Sequence, residues 1–218
     1  MSFRKRLTNT TAEMKHVFLL LLFVQSVSFA QPLNQFHAEK SKIDQRLMLS
    51  LGSWAMTNFI VSGIGWATVP DGEARYFHQM NVLWNTVNLG LAIPGYLKAK
   101  KEVSPHTLAE TMQLQRKTEN IFLVNTGLDV LYVSSGFLLR NLADKNVVKK
   151  DQYNGFGNGM IMQGGFLFLF DLTAYAIHKY HAKHGMPQAS MSIRMSSNGT
   201  GVTWHIGTKP FSRNSLFL

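Results

Sequence analysis

The chain has 218 residues, 45% of them apolar, and a formal charge of +10, which fits one domain with targeting and tail segments. It contains no cysteine, which excludes disulfides, thiolate nucleophiles, thioether haem attachment and Cys-ligated zinc or iron–sulfur sites, and leaves His and carboxylates as the metal ligands available. The mean hydropathy of -0.03 hides a split between polar connectors and long uncharged apolar runs; the bases lie in connectors flanking those runs, so the excess charge points to anionic lipid headgroups and not to nucleic acid.

Residues 14–31, MKHVFLLLLFVQSVSFAQ, have a short basic start at Lys15, an apolar core from Val17 to Val24, and small residues Ser28 and Ala30 just before Gln31. That is the layout of a secretory signal peptide cleaved before Gln31. Met14 begins a complete signal by itself, so the preceding residues read as upstream sequence. Residues 1–30 are therefore set apart from the fold, which leaves a membrane domain over 31–186 and a tail over 187–218.

Four uncharged or nearly uncharged runs follow, over about 47–69, 76–97, 120–140 and 158–178. Each is long enough to cross a bilayer as a helix of about 20 residues. The first ends at Pro70-Asp71-Gly72, a stop signal. The second carries Asn81, Asn85 and Asn88 at i, i+4, i+7 spacing, so the three amides share one helix face, which in hydrocarbon must look toward other helices. Ser104 and Pro105 read as the N-cap and first helical position of the third helix. In that run Asn125, Asp129 and Tyr132 repeat the same spacing, and Ser134, Ser135 and Gly136 supply small residues for close packing. A charged loop leads to YNGFGNGM, whose glycines either bend a loop or admit close backbone contact, and the fourth run then holds Gln163 and Asp171. In the tail, Asn198-Gly199 lies between two short alternating runs and signals a β-hairpin. The expectation is an all-α membrane protein, four transmembrane helices in two antiparallel hairpins, with a short C-terminal β-hairpin.

Two lines bear on orientation, and they oppose each other. A cleaved signal leaves the mature N-terminus outside, in the periplasm of a bacterial inner membrane. Yet the bases on that same side (Lys40, Lys42, Arg46, Lys98, Lys100, Lys101, Arg116, Lys117, Lys179, Lys183, Arg194) outnumber those opposite (Arg75, Arg140, Lys145, Lys149, Lys150), and an excess of bases marks the cytoplasmic side. The complete signal is given the greater weight.

The chemistry-bearing residues form a polar layer at mid-membrane: Asn58, Asn85, Asn88, Asn125, Asp129, Gln163 and Asp171, with at least one from each run. Such a layer either holds helices together through interhelical hydrogen bonds or lines a path for an ion, proton or solute. A second cluster, His178-Lys179-Tyr180-His181, puts two imidazoles on one helix face; His178 and His181 are weak metal candidates, and the plainer reading is a His/Lys/Tyr cap at the membrane interface. There is no G-x-S-x-G elbow, no HExxH and no P-loop, so neither an enzyme nor a cofactor is expected. The partners expected are the lipid bilayer and either a second copy or an envelope protein. A structural or interaction role comes first, and a small transporter or channel second.

The runs FHAEKSKIDQRLMLSLGSWAMTNFIVSGIGW, YFHQMNVLWNTVNLGLA and IFLVNTGLDVLYVSSGFLL, with the W-x3-N pairs Trp54/Asn58 and Trp84/Asn88, resemble a family of multi-pass membrane proteins of unknown function found in Bacteroidota. The resemblance covers roughly residues 35–184. It implies a four-helix membrane domain, without a substrate or active site.

Overall fold

Val69-Pro70-Asp71-Gly72 stops the first helix as its residue types require. Proline cannot continue the hydrogen-bond ladder, and Gly72 takes a φ of 148° that a side chain would strain. The computed structural model describes the backbone of residues 3–101, 107–196 and 199–207, and the side chains of 33–101 and 107–187. Helix α1 (Phe3–Thr68) precedes that turn and α2 (Glu73–Lys101) follows it. Glu73 in the first turn of α2 and Lys98, Lys100 and Lys101 in its last complement the helix dipole. Helix α3 (Leu108–Ala143) opens on a capping box: Glu110 N donates to Thr107 Oγ1 and Thr107 N to Glu110 Oε2. The cap expected at Ser104 and Pro105 lies outside the described residues. A single 3-10 turn, Val147–Lys149, capped by the Asn146 side chain, leads into α4 (Lys150–Gly185). Strands β1 (Gln188–Ser196) and β2 (Gly199–Gly207) pair antiparallel; Ser197 and Asn198 of the expected turn lie outside the described residues, as do the side chains of the leader-type segment, whose backbone runs on into α1.

The chain divides into two compact units, Met1–Ala38 with Ser104–Thr111 and His184–Leu218, and Glu39–Val103 with Met112–Lys183. In the first, His37 Nε2 and Thr111 Oγ1 are hydrogen-bonded at 2.8 Å. The second holds the helical bundle. There α1 and α2 run antiparallel, with Ser41 Oγ donating to the Ala99 carbonyl and Gly52 close to Ala92. Helices α3 and α4 do the same, with Gln115 Nε2 donating to the His178 carbonyl and Gly136 against Gly157. These contacts make the two antiparallel hairpins.

Among the described residues three helices, Leu33–Thr68, Leu108–Ala143 and Val147–Gly185, are long and apolar enough to cross a membrane. Helix α2, the fourth expected span, is not among them: Asn81, Asn85 and Asn88 lower its hydropathy, and all three are buried in the bundle. The outward face is apolar instead, with Val61, Val87 and Leu131 about 60% exposed (57%, 62% and 60%) while Asn81, Asn85 and Gln163 are fully buried. The buried apolar clusters are small, one around Leu47, Phe122 and Ala174 and one around Leu51, Ala92 and Leu167. A protein folding in water reverses this arrangement.

The glycines of YNGFGNGM do not form a loop. They are the first turns of α4, and Gly155, Gly157 and Gly159 are buried. A Cβ at Gly157 would stand 2.7 Å from the Gly136 carbonyl oxygen and 2.7 Å from Arg140 Cγ, so this stretch is glycine because α3 and α4 approach through their backbones. Gly157→Val is expected to destabilise the bundle by about 1–3 kcal/mol. Gly165→Ala, where an added Cβ meets nothing within 4 Å, is expected to be neutral or to stabilise by up to about 1 kcal/mol. Denaturant titration in mixed micelles measures both.

Candidate functional site

The polar residues read as one layer separate into two groups. One is a chain of amides crossing three helices. Trp54 Nε1 on α1 donates to Gln163 Oε1 on α4 at 3.1 Å, and Gln163 Nε2 donates to Asn81 Oδ1 on α2 at 2.6 Å. Trp54 is held for this by stacking on Phe166, ring centroids 3.9 Å apart and nearly parallel. Along α2, Asn85 Nδ2 donates to the Asn81 carbonyl and Asn88 Nδ2 to Asn85 Oδ1. The shared face read from the spacing of the three asparagines is therefore real, and Gln163 meets it from the opposite helix. Asn58 stands apart: its Nδ2 returns to the Trp54 carbonyl of its own helix.

The other group is acidic. Asp129 on α3 and Asp171 on α4 are neighbours, and Asn125, one turn before Asp129, lies beside Asp171. Both aspartates are buried. They border a cavity of about 350 Å³ between the four helices, walled by Asn88 and by the rings of Trp84, Phe122, Tyr132 and Phe170. Trp84 and Tyr132 close one side edge to face, 4.8 Å between centroids. Of the seven residues read as a polar layer, Asn88, Asn125, Asp129 and Asp171 converge on this cavity; Asn58, Asn85 and Gln163 do not line it.

The histidines are not an exposed interfacial cap. His178 and His181 are buried, because acidic residues on α1 face them: His178 Nε2 lies 3.0 Å from Asp44 Oδ1, and His181 Nδ1 lies 4.0 Å from Glu39 Oε2. Phe122 stacks on the His178 ring at 5.4 Å. Among the described residues no group of three or more His, Cys, Asp or Glu is placed to hold a metal ion. Asp44 also receives Lys40 Nζ at 2.6 Å. Asp44 and Gln115 were not singled out from the sequence; polar residues beside the apolar runs were the signal for them.

Residues 50–172 match DUF6992, a family of unknown function. The chain belongs to DUF6992. The match takes in the whole polar layer, from Trp54 and Asn58 to Asp171, and leaves His178, His181 and the strands outside. No curated protein and no solved structure matches this DUF6992 chain.

Asp44 lies three residues before the first apolar run, and its ionisation bears on stability. Burial works against its charge, but the His178 ring and the Lys40 ammonium outweigh that and hold its carboxyl below the ordinary value of 3.8. A carboxyl whose pKa is lower folded than unfolded adds stability that is full above the unfolded value and lost as pH falls through the folded one. Acidifying through and below pH 3.8 is therefore expected to lower the melting temperature of the wild type. Asp44→Asn should melt lower at neutral pH and lose less on acidification. Thermal melts in detergent across that range measure it.

Proposed function

We propose that this DUF6992 chain is an integral membrane protein of the bacterial envelope whose role is structural or one of interaction. On this reading it is not an enzyme and binds no nucleic acid. A secretory signal ending before Gln31 directs it to the inner membrane, with the mature N-terminus periplasmic. Helix α2 completes four spans, since its amides are inward and its outward face is apolar. The tail is a β-hairpin appended to the membrane domain. The partners are lipid and either a second copy or another envelope protein, and the resemblance of the apolar runs supports a source among Bacteroidota.

The observation that supports the structural role is the Trp54–Gln163–Asn81 chain, which links α1, α4 and α2. Buried polar groups in hydrocarbon have no water to turn to, and interhelical hydrogen bonds there contribute about 0.6–2 kcal/mol each. A bundle tied in this way presents a fixed apolar exterior to lipid and to partner helices. The second reading, a small transporter or channel, is favoured by the cavity that Asp129 and Asp171 border.

Gln163→Leu is expected to destabilise the bundle by about 1–3 kcal/mol, because it leaves the Trp54 donor and the Asn81 acceptor unmatched. Asn58→Ala, whose amide bonds only its own helix, should stay within about 0.5 kcal/mol. Denaturation in mixed micelles gives both values; equal losses would remove the case for Gln163 as the tie.

A further inference from the structure

The amide chain accounts for Trp54, Gln163 and Asn81 through protein partners, but it leaves Asp129 unexplained. Asp129 is 2% exposed, it borders the cavity, and no donor reaches its Oδ2. A buried carboxyl oxygen without a donor is costly, and in apolar surroundings more so. A purely structural pair of acids is better served by facing donors, as Asp171 faces Asn125.

Four properties of the cavity define what would satisfy that oxygen: its charge, its open acceptor, its walls and its size. Its acids make it anionic: two full charges side by side among apolar walls repel strongly, whereas one proton shared between the carboxyls leaves a single negative charge. The open acceptor calls for an N–H or O–H donor. The walls, apart from the carboxyls and the amides of Asn88 and Asn125, are chiefly aliphatic and aromatic, including Trp84, Phe122, Tyr132 and Phe170, and aromatic faces attract cations. At about 350 Å³ the space is that of an organic ligand, far more than a bare ion fills.

We propose that the cavity between the four helices is a binding site for a small hydrophobic amine in its ammonium form, its N–H donating to Asp129 Oδ2 with Asp171 beside it, and its apolar body lying among Trp84, Tyr132, Phe122 and Phe170. The acids come one from each helix of the α3–α4 hairpin, and Trp84 brings in α2. The cation neutralises the pair and supplies the missing donor. The site stands whether the bundle transports this ligand or only holds it.

The probe is phenethylammonium, with phenethyl alcohol as a neutral counterpart that keeps a donor. Both are titrated calorimetrically into the full chain in lipid nanodiscs, against empty nanodiscs for partitioning. The expected result is saturable uptake of phenethylammonium and only the empty-disc signal for the alcohol. Asp129→Asn is expected to weaken the ammonium about tenfold or more. Val87→Trp keeps both carboxyls and fills the cavity from its rim, where Val87 is exposed; it should weaken binding as much and tests the site if Asp129→Asn does not fold. No uptake above empty discs, equal uptake of the alcohol, or unchanged affinity in either folded variant overturns the proposal. None of these outcomes touches the tie through Gln163, which denaturation reads separately.

Discussion

Gln163 holds one acceptor and one donor in use at once, toward Trp54 on α1 and Asn81 on α2, and the rest of the bundle is arranged around that constraint. A side-chain amide in a water-free interior must find both partners within the protein. It therefore fixes how α4 lies against the first hairpin. Phe166, three residues after Gln163 and so just under one helical turn on, stacks on Trp54 and keeps the indole N–H pointed at the amide. Apolar packing alone supplies less, since the buried apolar clusters are few and most large aliphatic side chains of the helices face outward.

The second hairpin, α3 with α4, is closed by a device that works by subtraction. Where Gly136 meets Gly157 there is no side chain, and the helices approach until backbone touches backbone. Close approach strengthens the dispersion contacts between the two helices. It also brings α3 and α4 near enough for Asp129 and Asp171 to meet. The cavity opens beside them, and the rings of Trp84 on α2 and Tyr132 on α3 meet edge to face on one of its sides. The polar tie thus links α4 to the first hairpin, the glycine contact closes the second, and the acidic cavity lies between all four helices.

Periodicity in the sequence was enough to reveal the shared face of Asn81, Asn85 and Asn88, because helical spacing is a local property. It also placed Asn125 and Asp129 together. It could not reveal that Gln163 would be the partner of Trp54, since the two are far apart along the chain and only the packing of α4 on α1 joins them. Asn58 was grouped with the layer by its depth alone; its amide turned out to satisfy its own helix. His178 and His181 read as an interfacial cap because Lys179 and Tyr180 lie between them, while the carboxylates that bury them, Asp44 and Glu39, belong to a distant segment. The glycines of YNGFGNGM left loop and close contact equally open, since glycine permits both. Hydropathy in turn undervalues α2: three inward asparagines count against it although its outer residues, Leu83, Val87 and Leu91, are exposed and apolar.

The account rests on polar side chains inside, apolar side chains outside, and lipid around them. The absence of native cysteine permits single cysteines at Val61, Leu83 and Leu131, each exposed on a different helix, to carry spin labels in reconstituted vesicles. The account predicts that all three labels are relaxed by oxygen and shielded from a water-soluble nickel chelate, with a label at Val148 in the connector showing the reverse. Strong relaxation by the nickel chelate at Val61, Leu83 and Leu131 would contradict it.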